Sequence, residues 1–281
     1  MPIAVGSIRS RLPTPLRRAI RIGLVAYVGW FCMLLILENR LIFQPRREPR
    51  MSWQPPAPGG GDVRFAAADG TQLTGWYLPH PRPRAHVLFA CGNGGNMSYW
   101  GEVFRLLHDR LALSVMGFDY RGYGRSEGRP SERGVLQDAR AARTKFAELS
   151  GIDERAIVLM GRSLGGGVAC DLAADGCRAL VIESSFTSLP EVAARIYPFL
   201  PVRTFMRTRF DSLRKIAAYQ GPLLVSHGEA DELVPIAMGR QLFDAAPTKL
   251  KRFFLVPEGF HNDPQPARYY DELSKFIDEL P

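Results

Sequence analysis

The pentapeptide Gly161-Arg162-Ser163-Leu164-Gly165 sets a serine between two residues that lack side chains. It follows directly on an apolar stretch, Ala156 to Met160, that reads as a strand, and it opens a helical pattern from Leu164 to Ala174. A tight strand-to-helix turn strains the backbone of its apex residue and leaves no space for side chains at the flanking positions, so the glycines are steric requirements. Gly166 and Gly167 extend the same allowance. The chemistry such a turn permits is nucleophilic attack by Ser163. A serine hydroxyl is a weak nucleophile at neutral pH and needs a histidine to take its proton and a carboxylate to orient that histidine.

Of the five histidines, His261 stands just beyond the last predicted strand and ahead of the terminal helix, within Glu258-Gly259-Phe260-His261-Asn262-Asp263. It is the candidate base. His80, His86 and His108 precede the serine and read as surface or strand-side residues, and His227 ends a strand and reads as a structural contact. Asp231 follows the penultimate predicted strand and completes the chain order serine, acid, histidine. Glu183, which ends another strand, is the second candidate for the acid. The oxyanion formed on attack needs preorganised N–H donors. The backbone N–H of Leu164 supplies one, and Asn93, in the glycine-rich loop Cys91-Gly92-Asn93-Gly94-Gly95-Asn96, is the candidate for the other.

These residues need a frame that brings strand ends together. Val63 to Ala68 and Gln72 to Leu78 flank Asp69-Gly70 and read as a hairpin of edge strands. Ala85 to Ala90, Ala112 to Phe118, Ala156 to Met160, Ala179 to Ile182, Pro222 to Ser226 and Arg252 to Val256 read as further strands. Between them, Tyr99 to Arg110, Ser131 to Leu149, Leu164 to Ala174, Ile236 to Ala245 and Pro266 to Leu280 have helical length and spacing. This alternation predicts an α/β fold, a mostly parallel sheet with helices on both faces. Residues 188–219 break the rhythm and predict a small cap near the carboxyl ends of the strands.

The 281 residues, 46% hydrophobic and 23% charged, suffice for one large core. The net charge of +8 is almost wholly N-terminal: residues 1–50 hold nine arginines against Glu38 and Glu48, and the remainder is nearly neutral. A nucleic-acid partner is therefore excluded. Arg9, Arg11, Arg17, Arg18 and Arg21 precede an apolar run from Ile22 to Leu37, which reads as a single-pass membrane anchor, about 24 Å long as a helix. The charge distribution favours an inside N-terminus and an extracytoplasmic folded domain. Residues 1–44 are thus expected to form the basic segment and anchor, 45–61 a Pro- and Gly-rich linker, and 62–281 the folded domain. The four cysteines have no metal-like spacing, so no metal site is expected. Cys170 and Cys177 are the nearest pair, with free thiols favoured over a bridge.

Taken together, these segments resemble the α/β-hydrolase superfamily, and within it the single-pass membrane-anchored serine hydrolases (alpha/beta hydrolase domain-containing proteins). The resemblance spans most of positions 38 to 263: Glu38 to Pro45, Gly92 to Asn96, Asp119-Tyr120-Arg121-Gly122-Tyr123-Gly124-Arg125-Ser126, Pro130-Ser131-Glu132, the serine turn, Phe210-Asp211-Ser212-Leu213, the Asp231 loop and His261-Asn262-Asp263. Cys91 departs from it, since such proteins carry histidine before the glycine. The resemblance implies cofactor-free acyl transfer to water through an acyl-enzyme, with Ser163, Asp231 and His261 catalytic and Asn93 and Leu164 at the oxyanion. It implies a small-molecule, lipid-like or acylated-protein ester or thioester as substrate. A peptidase of the same fold and a catalytically silent binding protein are the alternatives. In the cap, Tyr197, Phe199, Leu200, Phe205, Met206 and Phe210 are expected to line an acyl pocket, with Arg203, Arg207 and Arg209 toward anionic headgroups.

Overall fold

Short apolar runs between helices become the strands of a sheet covered on both faces. The computed structural model describes residues 13–50 and 52–281, so Arg9 and Arg11 lie outside the described residues. In chain order the strands are β1 (Gln44–Pro45), β2 (Gly61–Ala66), β3 (Gln72–Leu78), β4 (His86–Ala90), β5 (Gly94–Gly95), β6 (Ser114–Asp119), β7 (Ile157–Arg162), β8 (Ala179–Glu183), β9 (Leu223–Gly228) and β10 (Lys251–Val256). Eight of them form one sheet in the order β10-β9-β8-β7-β4-β6-β3-β2. The β2–β3 hairpin is antiparallel, and so is the pairing of β3 with β6; the remaining pairs are parallel. Only β2 of the hairpin is an edge strand, because β3 is also paired with β6.

The helices are α1 (Thr14–Ile36), α2 (Glu38–Ile42), α3 (Gly101–Arg105), α4 (Glu132–Ser150), α5 (Leu164–Ala173), α6 (Leu189–Ile196), α7 (Val202–Phe205), α8 (Ser212–Ile216), α9 (Ile236–Ala245) and α10 (Ala267–Asp278). Alternate residues of each central strand enter opposite cores. Leu88, Leu159, Leu180 and Ile182 pack with α4, α5 and α9 on one face. Phe89, Met160 and Val181 pack with α3 and α10 on the other. Such double coverage explains why the strands read as continuous apolar runs without polar alternation. α4 is delimited by sequence chemistry at both ends: the Ser131 hydroxyl accepts from the Gly134 N–H at 3.2 Å, and Gly151 adopts φ 64° after the last turn.

Two N-terminal features go beyond the sequence reading. α1 begins at Thr14, two turns before the apolar run, so its 23 residues span about 34 Å and reach bilayer thickness. Its most apolar 18-residue stretch has a mean hydropathy of 2.0 and is almost wholly exposed, so length and composition suit a membrane span. The segment after it, expected as a linker, is bonded to the domain. Gln44 and Pro45 pair in parallel with Gly94 and Gly95, and the Asn96 side-chain amide donates to the carbonyls of Arg46 and Glu48 at 3.1 and 2.7 Å. Cys170 and Cys177 are free thiols; burial pushes Cys170 up to about 12.

Candidate active site

Every candidate residue follows the carboxyl end of a parallel strand: Asn93 after β4, Ser163 after β7, Asp231 after β9 and His261 after β10. Crevices at those ends are where open α/β sheets bind their ligands. Ser163 has φ 53° and ψ −117°, a conformation rare for any residue with a side chain. It is held there by its N–H donating to the Glu183 carbonyl at 2.9 Å and by the Ser185 hydroxyl donating to its own carbonyl at 2.8 Å. A Cβ on Gly161 would collide with the Gly165 carbonyl, and one on Gly165 with the Ala90 carbonyl. The two glycines therefore let α5 start directly against β4 and β7.

The Ser163 Oγ lies 3.0 Å from the His261 Nε2, and the His261 Nδ1 lies 2.7 Å from an Asp231 carboxylate oxygen. The other Asp231 oxygen accepts from the N–H groups of Leu233 and Val234 at 3.1 and 2.8 Å. Burial alone would raise the Asp231 carboxyl. Hydrogen bonds from His227, His261 and the Val234 N–H outweigh it and hold the group well below the usual carboxylate range. Asp231 is thus ionised at neutral pH and faces the ring nitrogen that must keep its proton. Fully buried His227 donates from Nε2 to the Val234 carbonyl at 2.7 Å and lies 3.4 Å from Asp231, so it braces the acid loop. Glu183, the second candidate acid, is buried beside Arg162 rather than at His261; burial raises its carboxyl and the Arg162 charge opposes that rise.

Asn93, Leu164 and Ser163 line one cavity of about 400 Å³. As the first residue of α5, Leu164 has an N–H without an intrahelical acceptor. The Asn93 side chain is committed elsewhere: its amide donates to the Ile42 carbonyl at 2.6 Å, and its oxygen accepts from the Gln44 N–H at 3.3 Å and the Tyr123 hydroxyl at 2.8 Å. Any oxyanion contact from Asn93 therefore comes from its backbone. Tyr120 donates to the Cys91 carbonyl at 2.8 Å, so hydroxyls from the loop after β6 fix the donor loop where Cys91 stands in place of histidine.

Pattern reading passed over Arg162, whose position in the pentapeptide gave no chemical signal. Its buried guanidinium donates to the carbonyls of His261 and Asp263 at 2.8 and 2.5 Å and lies 5.7 Å over the Trp100 ring. It ties the turn that carries Ser163 to the loop that carries His261. The cap matches the expectation only in part. Tyr197, Leu200 and Met206 line the cavity, whereas Phe210 is buried in the main core beside Phe43, Phe199 faces outward, and Phe205, half exposed, packs edge-on against Phe31 of α1. Arg203 is paired with Glu191 at 2.8 Å rather than free for a headgroup.

An eight-stranded sheet with helices on both faces and a strained serine between β7 and α5 defines the α/β-hydrolase class. Residues 87–278 match the Alpha/beta hydrolase family, and the chain belongs to it. It is 41% identical over 249 residues to an uncharacterized protein of Mycobacterium tuberculosis, covering 87% of this chain and 88% of that one. It is 32% identical over 218 residues to an uncharacterized membrane protein of Saccharomyces cerevisiae, covering 75% and 77%. Among solved structures it resembles an esterase of Pyrococcus furiosus, with a TM-score of 0.69 at 18% identity over 85% of this chain and 98% of that one. At that identity the likeness establishes the fold alone.

Proposed function

We infer that the protein is a membrane-anchored serine hydrolase that cleaves carboxylic esters or thioesters. The observation that carries this reading is the continuous line of bonds from Asp231 through His261 to Ser163, at 2.7 and 3.0 Å. In this mechanism His261 Nε2 accepts the Ser163 proton as Oγ bonds to the acyl carbon. Charge on the carbonyl oxygen is met by the N–H groups of Leu164 and Asn93. His261 then returns the proton to the leaving alcohol or thiol as its bond to carbon breaks, and a water deprotonated by the same nitrogen releases the acid and restores Ser163. The residues present suffice for this sequence of proton transfers.

The test is a panel of p-nitrophenyl esters beside aminoacyl anilides. The full-length protein is expected to hydrolyse the esters faster, and Ser163→Ala to lose that activity. Faster amide cleavage would favour a peptidase. Anchoring through α1, supported by its length and hydropathy, is tested by carbonate washing of membranes. The full chain is expected to stay in the pellet; its release would contradict an anchor.

A further inference from the structure

The cavity over Ser163 is not closed by the α/β core and cap alone. Phe31, Leu34 and Leu35, from the last turns of α1, form part of its wall, and they pack in one apolar cluster with Leu200 and Met206 of the cap, which also line it. The same helix that suits a membrane span is thus a side of the cavity that holds the serine. Two contacts fix it there: the Tyr27 hydroxyl donates to the Phe199 carbonyl at 2.8 Å, and Phe31 packs edge-on against Phe205 with ring centres 5.7 Å apart. At the foot of α1, the Glu38 carboxylate accepts from the N–H groups of Arg207 and Thr208. The seam between helix and cap is therefore built at both ends.

Beside that seam the cap presents Ile196, Tyr197 and Phe199 to the surroundings, with Phe199 89% exposed, and Phe205 keeps an exposed side beyond its contact with Phe31. They adjoin α1 through the Tyr27–Phe199 bond and the Phe31–Phe205 contact, and exposed Trp30 of α1 lines the same cavity as Ile196 and Tyr197. A contiguous apolar surface around a membrane helix is costly in water and is covered without cost by lipid. Glu38 is the one charged residue among the described residues that line the cavity, and its carboxylate accepts from the backbone N–H groups of Arg207 and Thr208, so the otherwise apolar wall favours an uncharged hydrocarbon chain.

Resting on the hydrolase reading, we propose that α1 and the tip of the cap form one membrane-seated collar, and that the substrate is a bilayer-resident acyl ester whose hydrocarbon chain passes between α1 and the cap to bring its carbonyl to Ser163. A cavity of about 400 Å³ lies at the lower end of the range for ligand sites and suits a single chain.

The experiment uses the full-length protein in phosphatidylcholine vesicles, with p-nitrophenyl acetate and p-nitrophenyl decanoate as substrates. Leu34→Trp fills the cavity from the α1 side, and Leu24→Trp places the same bulk on the exposed part of the helix. The decanoate-to-acetate ratio of kcat/KM is expected to fall at least tenfold in Leu34→Trp and to keep its wild-type value in Leu24→Trp. An unchanged ratio in Leu34→Trp overturns the proposal. In a second arm, a phosphatidylcholine with a diazirine on its acyl chain is photolysed in the same vesicles. Adducts within residues 196–205 are expected, and labelling confined to α1 would overturn the collar. If the wild type cleaved neither ester and Ser163 failed to react with a fluorophosphonate, the hydrolase reading would fail, and the photolabelling arm would still decide the collar.

Discussion

Ser163 owes its exposure to a backbone that costs about 1–3 kcal/mol to hold, which Glu183, Ser185 and two glycines support through hydrogen bonds and close approach. Asp231 is kept ionised by three hydrogen bonds despite its burial. Asp119 shows the opposite balance. It is buried, one oxygen accepts from the Met97 N–H at 2.6 Å, and the other has no partner among the described residues. Burial pushes its carboxyl up to about 7, against the Met97 N–H and the Arg125 charge. In the unfolded chain it titrates near ~4, so between about pH 4 and 7 the folded state binds more protons and stability falls as pH rises. Asp119→Asn removes that titration. Wild-type stability relative to the variant is expected to drop by as much as about 1.4 kcal/mol per pH unit across this window and to level off above it. Denaturant melts from pH 4 to 8 provide the check; a difference independent of pH would contradict it.

At the scale of elements, strands and helices were legible because each central strand is a short apolar run and each long helix has caps or spacing of its own. The exceptions have physical causes. Tyr99 to Arg110 reads as one helix, yet its start lies in a 3-10 turn, and α3, which begins at Gly101, ends at Arg105 and continues as a wider π-helical turn. The supposed linker is held by the Asn96 side chain about 50 residues away, and the residues just before it, Ile42 and Gln44, by that of Asn93; no local pattern announces such bonds. Arg162 belongs to the same class, since its partners are the carbonyls of a loop 99 and 101 residues further on. A lysine at this position keeps the charge beside Glu183 but lacks the planar fork that reaches two carbonyls. Arg162→Lys is expected to remain folded and to lose about 10²-fold in kcat as the His261 loop shifts. Circular dichroism beside steady-state kinetics tests this, and full activity in the variant would show that the guanidinium does not position the loop.

In the whole molecule, an N-terminal helix, a cap and the carboxyl ends of inner strands meet at one cavity. The three residues proposed as the triad could be singled out in the sequence because each follows a recognisable strand in the order the fold demands. The part played by α1 could not, because an apolar helix reads as an anchor whatever its last turns touch. Phe199 and Phe205 were misplaced for a related reason: apolar residues in a cap can point either into a cavity or out toward lipid, and spacing does not distinguish them. The most direct measurement of the central claim is the rate of fluorophosphonate attachment to Ser163, followed by peptide mass spectrometry on the full-length protein. Wild type is expected to carry the adduct on Ser163, with the rate falling by about 10⁴ in Asp231→Asn as His261 loses its orienting carboxylate. A folded wild-type protein that takes no adduct on Ser163, or an Asp231→Asn variant that reacts at the wild-type rate, would contradict the mechanism.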